Sequence, residues 1–201
     1  MQVRQEYINI QKKHKKQKSQ TAVSAFLNER KIIMKILTVI DMQNDFITGS
    51  LGSEAAKKIV PRIAEKLRNY DGKVIFTRDT HDVGYLKTQE GTRLPVPHCI
   101  KGTDGRNICD ALAPYADTVV DKPSFGSTAL PEVIKSISEA PDEIEICGLC
   151  TDICVISNAM ILKAFFPETR ITVDSSCCAG VTEKSHQTAL DAMAAVQIDI
   201  L

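Results

Sequence analysis

Three residues in this chain have the types that acyl transfer through a thioester needs: a thiol at Cys154, a carboxylate at Asp41 and an ammonium at Lys122. The thiol belongs to Gly148-Leu149-Cys150-Thr151-Asp152-Ile153-Cys154, where a short apolar run breaks at glycine into a helix start. A cysteine just inside a helix feels the positive end of the dipole and unpaired backbone N–H groups, and both favour the nucleophilic thiolate. Taken alone, the same cysteine is compatible with a buried structural residue. A nucleophile also needs a base for its proton and donors for the oxyanion. Asp41, set in an apolar rim, would have a raised pKa and could carry that proton. Lys122 could hold the thiolate and keep Asp41 ionised. It precedes Pro123, which restricts it to extended backbone and hence to a defined strand end.

A second constellation is Asp79-Thr80-His81 followed by Glu90 and His98. Carboxylate and imidazole together suit zinc, manganese or iron. Asp79 and His81, two positions apart on a strand end, project to the same side. Read singly, Glu90 is equally a solvated loop carboxylate.

The elements that must position these groups follow from hydrophobic periodicity. Strands are predicted at 36–40, 73–77, 118–120, 143–147, 170–173 and 197–201, and helices at 54–69, 130–138, 153–165 and 183–195. Alternation of this kind predicts a three-layer α/β/α fold around a mainly parallel sheet of about six strands, with right-handed crossovers. Ligands of such sheets bind at the carboxyl ends of the strands. Asp41, Asp79, Lys122 and Cys154 each stand just after a predicted strand and are expected to converge there. Residues 81–105 form a long loop rich in Gly, Pro, Thr and His, of the kind that is usually functional. Cys177 and Cys178 are expected in a turn before Gly180.

The chain has 201 residues, enough for one domain with a full core. Formal net charge is zero, but residues 1–33 hold a net +6 and the remainder −6. The acidic body argues against nucleic acid as the main partner. The basic N-terminal extension, 1–33, is expected to be poorly ordered and separate from a domain at 34–201; it lacks the apolar region of a secretory signal. No apolar run is long enough to span a bilayer. Seven cysteines, an odd count without a signal peptide, point to free thiols in a reducing cytoplasm.

These residues resemble the nicotinamidase/isochorismatase-like cysteine hydrolase superfamily from Met34 to the C-terminus. Val39-Ile40-Asp41-Met42-Gln43-Asn44-Asp45-Phe46 is similar to the family's opening strand. Lys122-Pro123-Ser124-Phe125-Gly126-Ser127-Thr128 resembles its lysine segment, and Gly148 to Cys154 its G-x-x-T-D-x-C nucleophile loop. The resemblance implies a catalytic triad of Asp41, Lys122 and Cys154, a cis peptide at Leu149–Cys150, and oxyanion donors from the backbone amides of Cys150 and Cys154. Similarity to the nicotinamidase branch implies a divalent metal, zinc first among the candidates, on Asp79, His81, Glu90 and His98, holding a pyridine nitrogen. It also implies a homo-oligomer.

There are departures from that branch: Thr80 stands where Trp is frequent, and the chain has no Trp. Phe46, Tyr85 or Phe125 is then expected to supply the aromatic wall, with Phe46 and Phe125 as the first choices. The activity implied is hydrolysis of a small amide, nicotinamide foremost. A ureido or carbamoyl amide, isochorismatase-like hydrolysis, or a non-catalytic ligand- or partner-binding role are the alternatives.

Overall fold

The computed structural model describes residues 33–201, so the basic extension expected at 1–33 lies, apart from Ile33, outside the described residues. Met34–Leu201 forms one compact unit. Six strands make one all-parallel sheet: β1 Lys35–Ile40, β2 Lys73–Asp79, β3 Val119–Lys122, β4 Glu143–Leu149, β5 Arg170–Ala179 and β6 Asp199–Ile200. Their order is β3-β2-β1-β4-β5-β6. The helices are α1 Asn44–Ile47, α2 Glu54–Asn69, α3 Gln89–Arg93, α4 Ala129–Ile137, α5 Ile156–Phe165 and α6 Glu183–Ala195. The strand order reverses between β1 and β4, so right-handed crossovers put α2 on one face of the sheet and α4, α5 and α6 on the other. The expected three-layer architecture is thus present.

Local chemistry explains the boundaries. Ser53 caps α2 by accepting from the Ala56 amide, and Ile59, Ile63 and Leu67 form its buried stripe. The helix continues through Pro61, which faces solvent. Thr182 and Ser185 close a reciprocal capping box at the start of α6. The apolar residues of the central strands are fully buried, with Ile36, Leu37, Val39, Ile40, Ile144 and Ile146 all at 0 % exposure, as a sheet covered on both faces requires. Among the described residues, no helix is long and apolar enough to cross a membrane.

Several expectations are corrected. Cys177 and Cys178 are not in a turn; β5 runs on to Ala179 and buries both thiols in the core. Backbone pairing with β4 at Gly148–Cys178 and Leu149–Ala179 extends the strand past its β-branched stretch. The expected long loop is broken into short turns at Tyr85–Lys87, Gln89–Arg93 and Asp104–Arg106. The segment before α5 is a π-helical turn at Thr151–Val155, where α-helix was expected from Ile153. Finally, no peptide bond among the described residues is cis, so the expected cis Leu149–Cys150 bond is absent. The chain bends instead at Gly148, with φ of +119°. A Cβ there would lie 2.1 Å from the Ile40 carbonyl oxygen, so only glycine lets β4 pass this close to β1.

Candidate active site

The carboxyl rim of the sheet collects the residues the sequence scattered. β2 ends on Asp79 and β3 on Lys122, paired in register. Asp41 follows β1 directly, and Cys154 sits in the π-helical turn after β4. Both lie at the reversal of strand order, where open α/β sheets leave a crevice. Asp41 adopts a left-handed φ of +48°, an unusual conformation for a residue with a side chain and one that clusters at functional sites.

Lys122 is the hub of this rim. Its side chain is fully buried, and Nζ lies 2.6 Å from Asp41 Oδ2, 3.5 Å from Cys154 Sγ and 3.5 Å from Asp79 Oδ1. It also donates to the Ser124 carbonyl at 3.0 Å. Asp41 Oδ1 accepts from the Thr77 hydroxyl at 2.7 Å. Oδ2 receives no well-aligned hydrogen bond, so its contact with Lys122 is an ion pair held by charge rather than by direction.

Burial dominates the protonation of these groups. It pushes the Asp41 carboxyl upward, against the opposing pull of Lys122, and the negative charge of Asp79 adds to the rise. It pushes the Cys154 thiol well above its ordinary value, Asp41 again adding and Lys122 opposing. This corrects the dipole argument: for a buried thiol the cost of a thiolate beside a carboxylate exceeds what a helix end supplies. For Lys122 the balance is reversed. Burial alone would lower its pKa, but Asp41, Cys154 and Asp79 together raise it. The arrangement is one fixed cation beside two groups that can each hold or release a proton.

Asp79 joins this hub to a second cluster. Its Oδ2 lies 3.0 Å from His81 Nε2 and 3.5 Å from His98 Nε2, while Glu90 Oε1 lies 3.7 Å and 3.6 Å from the same two nitrogens. One ligand atom from each of Asp79, His81, Glu90 and His98 falls within 4.8 Å of the others. The His98 Nδ1 is 2.8 Å from the Val96 carbonyl, which fixes the ring and turns Nε2 inward. Burial would lower the His98 pKa, but the Asp79 bond, the Val96 carbonyl and the charges of Asp79 and Glu90 raise it. Two carboxylates therefore make this spot favourable to positive charge, and the donor set is that of a divalent metal. Glu90, ambiguous in the sequence, is brought in by α3.

A cavity of about 500 Å³ opens over both clusters, lined by Phe46, Asp79, Glu90, His98, Phe125, Cys150 and Cys154 among others. The two expected wall residues, Phe46 and Phe125, therefore face it. Tyr85 does not: it is fully buried behind the imidazoles, its ring centroid 4.7 Å from His81 and 4.9 Å from His98. His81 lines a neighbouring cavity instead, which shares Glu90, Leu94, Phe125 and Ile153 with the first.

Two supporting residues were not singled out from the sequence. Gln43 is fully buried; its Nε2 donates to the carbonyls of Asp79 at 2.8 Å and Arg106 at 2.9 Å, and its Oε1 accepts from the Asp79 amide at 2.7 Å. It thereby locks the backbone of the residue shared by both clusters. Asp45 Oδ2 accepts from the Cys99 amide at 2.7 Å, next to His98. Their signal was their position, two and four places beyond Asp41: Gln43 is polar yet fully buried, and Asp45 lies in the short helix α1.

Comparison with known proteins places the chain in context. The isochorismatase domain model matches residues 35–201. The uncharacterized isochorismatase family protein PncA of Bacillus subtilis is 31% identical over 174 residues, 78% of this chain and 92% of that protein. A nicotinamidase/pyrazinamidase of Mycobacterium tuberculosis is 26% identical over 189 residues, 84% of this chain and 98% of that one. The crystal structure of a pyrazinamidase/nicotinamidase from Streptococcus mutans superposes with a TM-score of 0.72 at 28% identity, covering 83% of this chain and 99% of that chain. With a family model spanning the whole sheet and every residue of the rim, the chain belongs to the isochorismatase domain family.

Proposed function

We propose that this protein is a cysteine hydrolase of small amides that converts nicotinamide to nicotinic acid and ammonia, with Asp41, Lys122 and Cys154 as its catalytic residues. The observation that carries the reading is the Lys122 ammonium held against Asp41 and Cys154 at once, with Cys154 lining a cavity. The nicotinamidases among its relatives point to the same substrate.

Asp41 takes the Cys154 proton as the sulfur bonds to the amide carbonyl carbon. Burial raises the Asp41 pKa, which suits a base that must also return the proton it takes. Lys122 stays charged throughout and balances whichever neighbour is anionic. The oxyanion is assigned to the amides of Cys150 and Cys154. The Cys150 carbonyl accepts the amides on either side of Cys154, those of Ile153 and Val155, each at 3.0 Å, which fixes the turn that carries the Cys154 N–H. Such π-turns recur at functional sites. Asp41 then gives its proton to the departing amine, and the C–N bond breaks to leave a thioester and ammonia. Water, deprotonated by Asp41, hydrolyses the thioester and restores the thiol.

Asp79, His81, Glu90 and His98 would hold the divalent ion, and their mixed imidazole–carboxylate set fits zinc, with manganese or iron also compatible. Bound there, the ion supplies a Lewis-acid anchor for a ring nitrogen of the substrate. Phe46, whose ring centroid is 5.4 Å from that of His98, and Phe125 form the apolar walls around the ring. Assembly into a homo-oligomer belongs to the same proposal and is read by light scattering.

Ammonia release from a panel of small amides tests the assignment, nicotinamide being expected to lead. Absence of release from every amide would overturn it. The size of the cavity favours one second reading, a larger amide on the same chemistry, since about 500 Å³ exceeds what a single six-membered ring fills. The same panel distinguishes the two.

A further inference from the structure

Asn158 is a buried amide inside a largely apolar helix, at 0 % exposure on the first turn of α5. It stands four residues after Cys154 and so faces the same side of the helix. All of its polar capacity on this side is used to join two segments. Nδ2 donates to the Cys154 carbonyl at 2.7 Å and to the Phe125 carbonyl at 3.0 Å, and Oδ1 accepts from the Ser127 amide at 2.9 Å. The first contact grips the nucleophile turn. The other two grip the loop after β3, whose Ser124 carbonyl receives Lys122 and whose Phe125 lines the cavity.

Among the described residues, no other hydrogen bond ties the loop after β3 to the nucleophile helix. Phe125 itself is 42% exposed and stands where the two neighbouring cavities share a wall. A ring this exposed, on a six-residue loop, depends on its backbone to set its distance from the sulfur. Its backbone is fixed on both sides of Gly126 by one side chain, and that side chain is rooted on the nucleophile helix.

We infer that Asn158 is a positioning residue that sets the distance between Cys154 and the Phe125 wall, and through it the selectivity of the site for flat aromatic over small aliphatic acyl groups. The inference deepens the function proposed above and rests on Cys154 being the reactive thiol. It does not require that nicotinamide be the substrate.

Asn158→Thr is the informative variant. A threonine hydroxyl reaches the carbonyl four residues back, at Cys154, but is too short to bridge to Phe125 and Ser127. Alkylation of Cys154 is followed by mass spectrometry with two probes, iodoacetamide and N-phenyl iodoacetamide. Only the second presents a ring to Phe125, and neither requires turnover. N158T is expected to lose about five- to tenfold more rate with the aromatic probe than with the small one. The differential should vanish in a Phe125→Ala background, since coupled residues lose their separate effects. Equal slowing of both probes, or a differential that persists without the Phe125 ring, would overturn the inference. If N158T does not fold, Asn158→Ser is read in the same way. Fast amide exchange at Ser127 in the unaltered chain would also overturn it. Failure of nicotinamide hydrolysis with the alkylation pattern intact removes only the substrate assignment.

Discussion

Lys66 and Lys122 are each wedged between two carboxylates, and the two sites behave differently. Lys66, on α2, pairs with Asp174 Oδ2 at 2.7 Å and with Glu145 across the sheet face. Its side chain retains 21% exposure, and the carboxylates around it are satisfied. Burial would raise the Asp174 carboxyl, but its bonds to Lys66 and Ser176 outweigh burial and hold it below the usual range. At Lys122 no exposure remains, a thiol competes for the same charge, and Asp41 is raised instead of lowered. An ion pair near solvent locks two elements together. The same pair sealed from water, with a third titratable group added, becomes a place where a proton can move.

Removing the third group should separate the sites most sharply. Cys154→Ala is expected to lower amide turnover by about a thousandfold or more while the circular dichroism spectrum is retained. Lys66→Met, measured in the same ammonia assay, should leave turnover within about threefold, because nothing near Lys66 faces the cavity.

Stability should rank the lysines in the same order. Lys122→Met strands a buried Asp41 and is expected to cost about 3–5 kcal/mol in urea denaturation. Lys66→Met, partly screened by solvent, should cost about 1–2 kcal/mol. Equal losses would mean that burial does not distinguish the pairs. A smaller effect is expected from Gln43→Leu, which leaves the Asp79 backbone groups without partners and should weaken divalent-metal affinity about 10- to 100-fold, read by metal content after dialysis.

The smallest expected effect is on pH dependence, and its sign differs between the sites. Asp174 is held below its ordinary pKa, so its ionised form favours the fold. That stabilisation is complete above the unfolded value of about 3.9 and is lost as pH falls through the folded value. Asp174→Asn should therefore flatten the acid limb of the stability curve. Asp41, raised above that value, contributes in the opposite sense: its protonated form favours the fold, and its contribution declines as pH rises through its folded pKa. Asp41→Asn should leave the acid limb in place. A variant pair that shifts both limbs alike would refute the distinction.

Much of the site was legible because its residues stand at element ends. Strands such as Ile36–Ile40 and helices such as Glu54–Asn69 follow from apolar periodicity, and a strand's last residue must lie on the rim whatever its neighbours do. Asp79 and Lys122 end their strands and Asp41 follows one directly, whereas Cys154 lies five residues beyond β4 and is carried to the rim by the turn that follows it. Glu90 was not placed by that logic, because a loop carboxylate has no periodicity to say which way it points. Gln43 and Asn158 were missed for a related reason: a polar residue in an apolar run shows that a partner must exist without showing which one. The π-helical turn and the extension of β5 through Cys177 and Cys178 are set by hydrogen bonds to chain distant in sequence, and local propensity carries no trace of them.

By itself, the sequence determined the layered parallel sheet, the converging rim and the types of group that meet on it, since these depend on periodicity and residue type. Only the tertiary structure decided their protonation. Whether Asp41 and Cys154 hold their protons depends on complete burial and on charges a few ångströms away, contributed by strands more than thirty residues apart. Desolvation is a property of what surrounds a group, and that is fixed only once the chain has closed around it.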